Sequence, residues 1–288
     1  MKKQLQLSIT LPFAYYTTRD SAAGVPLLRY PSPRMIGQYT DALCAEMDLW
    51  KDCGEMEIGA VRFEGGYIHL LKEGQLRQLI GRISEVFSLS ADCEWIALTC
   101  PGRYLKPIAP ILAEQAVKIM LDIPTFLKDE ADANMLPFGP DFTRGELQDY
   151  PVAGIRILRE IDGRTPENVE TIRKKLSELR PRRVEMITLS GRNEETRAGD
   201  ALQEFLLQTG YRPVAVNEFA LPGGEFRHTH DLSSLPEYIG LGLGAVSVYD
   251  GYLSRNVDDF RAYIAAVGNP AMLYTVTEKM PESSETSD

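Results

Sequence analysis

Apolar positions along this chain switch repeatedly between two spacings. In "LQLSITLP" (5–12) every second residue is apolar, the period of a strand with one buried face. "SPRMIGQYTDALCAEMDLWKD" (32–52) moves to helical spacing, with Ser32 as N-cap and Pro33 in the first turn. "MEIGAVRF" (56–63) returns to a strand. "KEGQLRQLIGRISEVFSL" (72–89) places Leu76, Leu79, Ile80, Ile83 and Phe87 on one helix face. The alternation continues through a strand in "CEWIALTC", a proline-interrupted helix in "YLKPIAPILAEQA" and a strand in "VKIMLDI". After a looser section, 124–152, come a strand in "AGIRILREI" and a helix in "TPENVETIRKKLSELR". A strand in "RVEMITLSG" follows, then a helix in "NEETRAGDALQEFLLQTG" closed by Gly210. Six βα units in series predict an α/β fold with a parallel sheet or barrel.

Beyond residue 210 the pattern changes. "YRPVAVNEFA" precedes a glycine-rich stretch, "YIGLGLGAVSVYDG", and a last helix near "NVDDFRAYIAAV". The division expected is a barrel over 1–210, a C-terminal α+β elaboration over 211–278 and a disordered acidic tail over 279–288.

The chain has 288 residues and a net charge of −10, which argues against a nucleic-acid partner. "LRPRRVEM" holds three arginines within four positions and reads as a helix end and solvated turn. No apolar run is long enough for a membrane span, and the N-terminus has no signal-peptide core, so the cytoplasm is the expected compartment. Cys44, Cys53, Cys93 and Cys100 are separated by nine, forty and seven residues. That matches no zinc or iron–sulfur spacing and suits buried thiols.

The segment from 210 to 256 carries a specific resemblance. It contains Gly210-Tyr211, Phe219-Ala220, Pro222-Gly223, Arg227-His228, Tyr238, Gly240, Gly242, Gly244-Ala245, Ser247 and Arg255-Asn256 in one register. This resembles the oxygen-independent coproporphyrinogen III oxidase family, a radical S-adenosylmethionine group that also contains heme chaperones. "FEGGYIHLLKEGQLRQLIGRISEVFSL", "DCEWIALTCPG" and "VKIMLDIPTF" extend the likeness upstream, so it covers roughly residues 5 to 265. The resemblance implies an incomplete, TIM-like (β/α)6 barrel with its cofactor site at the C-terminal ends of the strands.

It also exposes what is missing. The family's first strand ends in a loop whose three cysteines hold a [4Fe–4S] cluster. Register from Pro12-Phe13 puts Ala14, Thr18 and Ser21 there. Alanine has no donor, and hydroxyls are poor ligands for iron that seeks soft thiolates. The glycine-rich turn that binds the methionine moiety has become Glu64, Gly65, Gly66, Tyr67 and Ile68. Leu98 replaces a glutamate, Pro124 a glutamine, Lys118 an arginine and Arg159 an aspartate. Pro101 and Gly102 are retained beside the vestigial pocket. The expectation is therefore no cluster, no resident metal and no radical S-adenosylmethionine activity.

His228 aligns with a histidine that the resemblance associates with heme binding, so Arg227, His228 and His230 form a candidate heme or ligand site. A structural role for these histidines and for His69 is the competing reading. "GLGLGA" (240–245) lacks a dinucleotide register and reads as structural. Three functions remain open: a pseudoenzyme that binds a tetrapyrrole, another small molecule or a partner protein; an enzyme with repurposed or non-radical S-adenosylmethionine chemistry; and a structural protein whose old pocket is filled. The side chains of Glu64 and Tyr67 discriminate among them.

Overall fold

The computed structural model describes residues 3–14, 27–29, 31–53, 56–99, 106–123, 152–159, 166–188, 197–226 and 237–280. Six parallel strands follow the predicted rhythm: β1 (Lys3–Leu11), β2 (Met56–Gly65), β3 (Leu89–Thr99), β4 (Lys118–Ile123), β5 (Val152–Arg159) and β6 (Arg183–Thr188). Between them lie α1 (Pro33–Asp48), α2 (Glu73–Val86), the short α3 (Ala109–Glu114) and α4 (Pro166–Leu179); α5 (Arg197–Gln208) follows β6. Ser32 caps α1 as expected: the Met35 N–H donates to its Oγ at 3.2 Å.

The sheet does not end with the sixth unit. β7 (Arg212–Ala215) and β8 (Glu218–Ala220) form a hairpin whose second strand pairs antiparallel with β6. On the opposite edge, β9 (Ile239–Leu241) pairs parallel with β1 through Leu7↔Ile239 and Ile9↔Leu241. The order is β9-β1-β2-β3-β4-β5-β6-β8-β7. A separate antiparallel sheet of β10 (Val246–Tyr249), β11 (Tyr252–Asn256) and β12 (Tyr274–Lys279) follows, with α6 (Phe260–Ala266) and α7 (Pro270–Leu273) between its last two strands.

Strand alternation sorts the residues onto two faces. Leu5, Leu7, Ile9 and Leu11 of β1 join Val61, Phe63, Trp95, Ala97, Ile119 and Leu121 in one core beneath α1, α2 and α3. A second core packs Ile155, Ile157, Val184 and Met186 under α4 and α5. The other face is the concave interior. Its small apolar patch is Ile96, Leu98 and Met120 with Phe226 against it. Arg183 on β6 feels the charge of Arg62 on β2, four inter-strand steps away. A flat sheet would put them about 19 Å apart, so the coupling reflects strong curvature.

The three clustered arginines divide. Arg180 is exposed at the end of α4, as expected, and Arg182 is exposed beside it. Arg183 begins β6, is 4% exposed and pairs with Glu218 of β8. A strand start immediately after a helix end turned a solvated position into an interior one.

The glycine-rich stretch is structural. Gly242 has φ of 107°, and a Cβ there would stand 2.5 Å from the Tyr39 hydroxyl and 2.9 Å from the Thr10 carbonyl oxygen. Gly242→Ala combines left-handed backbone with a backbone clash. It is expected to cost about 2–4 kcal/mol, read as a lowered Tm, whereas Gly251→Ala, with positive φ but open space, costs less.

Candidate functional site

The C-terminal ends of β1 and β2 build the site. β1 runs to Leu11, and the chain continues through Phe13 and Ala14, which pair with Leu28 and Arg29. The Leu28 N–H donates to the Pro12 carbonyl at 2.6 Å and the Tyr67 N–H to the Phe13 carbonyl at 3.0 Å. Both flanks of the loop that follows Ala14 are thus tied down. A Cβ at Gly66 would land on the carbonyl oxygens of Phe13 and Leu11. Gly66 is required here by the approach of β1, whatever its relatives use it for.

Glu64 and Tyr67 part company. Glu64 lies on the interior face beside Thr10, its register partner. Its carboxylate accepts from Arg62 Nε at 3.0 Å and Ser8 Oγ at 3.3 Å, and its side chain is 21% exposed. A charged group therefore stands at the barrel mouth, held by a guanidinium that is almost fully buried. Tyr67 turns away into the helix-side core. Its ring stacks on His69, with centroids 5.4 Å apart and planes 17° from parallel.

His69 likewise belongs to that core side. Its Nδ1 is 2.7 Å from Thr99 Oγ1, and Thr99 alternates with Leu98, whose side chain faces the interior. Burial pushes the imidazole down to about 4, so it is neutral at physiological pH. Its structural reading is the one the geometry supports.

Below the mouth, the interior is lined with ion pairs. Arg156 donates from Nε and Nη2 to the two oxygens of Glu185 at 3.1 and 3.2 Å. Lys118 pairs with Glu94, and Arg183 with Glu218. Phe226 projects among them, with Arg183 and Lys118 over its ring at 4.3 and 5.1 Å from the centroid. Lys118 and Leu98 therefore serve an ion pair and an apolar patch.

The structure does not gather all the predicted site residues. Thr18, Ser21, Pro101, Gly102, Arg227, His228 and His230 lie outside the described residues, as do Cys100, Pro124 and the tail from 281. Cys44 is on α1, Cys53 in the turn after it and Cys93 on β3; all three are free thiols. Burial raises each of them, Cys93 to about 11, so they are protonated thiols. Among the described residues no three His, Cys, Asp or Glu side chains are grouped to hold a metal. No helix among them is long and apolar enough to cross a membrane.

One cluster was not foreseen. Glu46 of α1 is 1% exposed, and its carboxylate accepts from the Gly242 N–H at 2.8 Å, Asn256 Nδ2 at 2.6 Å and the Tyr263 hydroxyl at 2.5 Å. Tyr39, two turns earlier, donates to the Thr10 carbonyl at 2.7 Å and accepts from the Leu243 N–H at 2.9 Å. These bonds fasten the glycine-rich loop to α1 and to the end of β1. The sequence signal was faint: an acid on an otherwise apolar helix face.

These features define an α/β fold with a curved, mainly parallel central sheet and an added C-terminal layer. No protein-family model matches the chain. The chain is homologous to the heme chaperone HemW of Lactococcus lactis subsp. lactis, with 23% identity over 262 residues, covering 81% of this chain and 68% of the relative. It has the fold of the coproporphyrinogen III oxidase HemN from Escherichia coli, described as a radical SAM enzyme. The TM-score is 0.76 at 17% identity, over 97% of this chain and 73% of that one.

The His69 environment makes a direct prediction. Its folded-state pKa lies below the ordinary 6.5, so the neutral ring stabilises the fold above about pH 6.5 and that stabilisation is lost as pH falls towards 4. NMR titration is expected to show a neutral His69 ring down to about pH 5, and His69→Gln to lose least relative to wild type at the acid end. A midpoint near 6.5 contradicts the buried assignment.

Proposed function

We propose that this chain is a coproporphyrinogen III oxidase-like pseudoenzyme that acts by binding. One observation carries the reading: Ala14, Thr18 and Ser21 stand where relatives use three cysteines. These side chains do not fit a [4Fe–4S] cluster. Alanine offers no lone pair, and two alcohols hold ferrous or ferric iron far less well than thiolates.

The mouth supports the same view. In place of a small residue it carries Glu64, fixed by Arg62 and Ser8. Each cation whose partner is described above already faces a protein carboxylate, which leaves an acidic ligand in competition with internal pairs. The proposed ligand is a tetrapyrrole, with Arg227, His228 and His230 as the proposed contacts. Heme, a metallated tetrapyrrole, carries carboxylates for Arg227 and an iron centre for a neutral imidazole. A catalytically intact relative is the alternative partner.

Anaerobic reconstitution with iron and sulfide is expected to give no brown chromophore and no iron above background. A stoichiometric cluster absorbance overturns the pseudoenzyme reading.

The tetrapyrrole arm is separate. Heme titration is expected to produce a Soret shift that weakens at least about tenfold in His228→Ala, the loss of one ligand bond. An unchanged titration discards His228 as the contact, and no Soret shift at all discards the tetrapyrrole while leaving the cluster result to stand.

A further inference from the structure

The carboxyl of Glu46 is the least expected charge in the molecule. It sits where four elements meet: α1, the loop 240–245, β11 and α6. Every contact bonded to it is a neutral donor. The titratable groups facing it are Tyr39 from α1, Tyr263 from α6 and Tyr274 from the start of β12, all phenols held protonated by burial. Cys44, on α1 near Tyr263, is a protonated thiol. Loop 240–245 brings no titratable side chain. Arg255 and Arg261, next in sequence to the contacts or close by, are exposed and point to solvent. Among the described residues no cation contributes to the site.

We propose that Glu46 is a proton-dependent latch that fastens the C-terminal layer to the barrel, tight when its carboxyl is neutral and weakened when it ionises. The layer concerned is the loop 240–245 with β10, β11, β12 and α6. The neutral acid can donate its proton to the Tyr263 oxygen and still accept from Gly242 and Asn256, so the carboxyl keeps its three partners while the Tyr263 hydroxyl proton turns away from it. The anion keeps its three donors but is buried without a counter-charge, and removing a carboxylate from water costs more than those neutral bonds return. Burial pushes the group up to about 7, against an ordinary 4.5. A folded-state value above the unfolded one gives stability that is complete below about 4.5 and lost as pH rises through 7.

The latch reaches the barrel mouth by a short path. Gly242 bonds to Glu46, and the next amide, Leu243, bonds to the Tyr39 hydroxyl. That hydroxyl holds the Thr10 carbonyl, one residue before the end of β1. Loosening the loop thus relaxes the strand that leads into Pro12, Phe13 and Ala14.

Native-state hydrogen exchange on the full chain tests this. The amides of Gly242, Leu243, Gly244 and Asn256 are bonded to Glu46, Tyr39, Val257 and Ala245 respectively. Between pH 6 and 8 their protection factors are expected to fall about tenfold, after correction for intrinsic exchange, while those of β2 stay constant. Glu46→Gln cannot ionise and is expected to abolish the difference between the two pH values. Should that variant fail to fold, the carboxyl carbon-13 titration of Glu46 in the wild type decides. A midpoint near 7 supports the latch, and a midpoint at the ordinary value overturns it. Protection factors that do not change across this range overturn it as well.

Discussion

A curved parallel sheet must satisfy two buried faces, and this chain does so in two different ways. The convex face is apolar and covered by helices. The concave face carries Arg62, Glu64, Glu94, Lys118, Arg156, Arg183 and Glu185, and the fold depends on these charges finding each other. A single unpaired charge at such depth costs several kcal/mol. The pairings also bridge neighbouring strands: β3 to β4, β5 to β6, and β6 to β8. They therefore fix register on a face where apolar packing is limited to Ile96, Leu98, Met120 and Phe226. Lys118 and Leu98 fit this arrangement. Lys118 supplies one partner of a pair, and Leu98 enlarges the apolar patch.

The same logic explains why Gly66 is held in place by the backbone alone. Gly66 touches the backbone of β1 so closely that any side chain would collide with two carbonyl oxygens. Such a position is held by the strand crossing, with or without a cofactor. Glu64, one step before the turn, has room because its side chain points into the concave space. The turn thus separates into a position that the backbone needs, Gly66, and one open to a side chain, Glu64.

The βα rhythm, the N-cap at Ser32 and the helix end at Gly210 were legible because each rests on local periodicity or a local cap. Arg183 was misjudged for a local reason too. A cluster of arginines after a helix looks solvated unless the strand start is placed to the residue. The Glu46 cluster was invisible on different grounds. Its partners lie 196, 210 and 217 residues away, and no local pattern announces a bond of that reach. The face on which His69 falls could not be read either, because a single turn of 3₁₀ helix at Ile68–Leu70 decides it.

His69 and Glu46 are buried in one protein with opposite titration slopes. His69 adds stability as pH rises from about 4 to 6.5, while Glu46 removes it from about 4.5 to 7. Between 4.5 and 6.5 the two contributions run in opposite directions. Their locations differ: His69 acts at the turn between β2 and α2, and Glu46 at the seam between α1 and the C-terminal layer. Mild acidification therefore weakens the turn beside the barrel mouth while it tightens the seam. What pH alters in this fold is where the chain opens first.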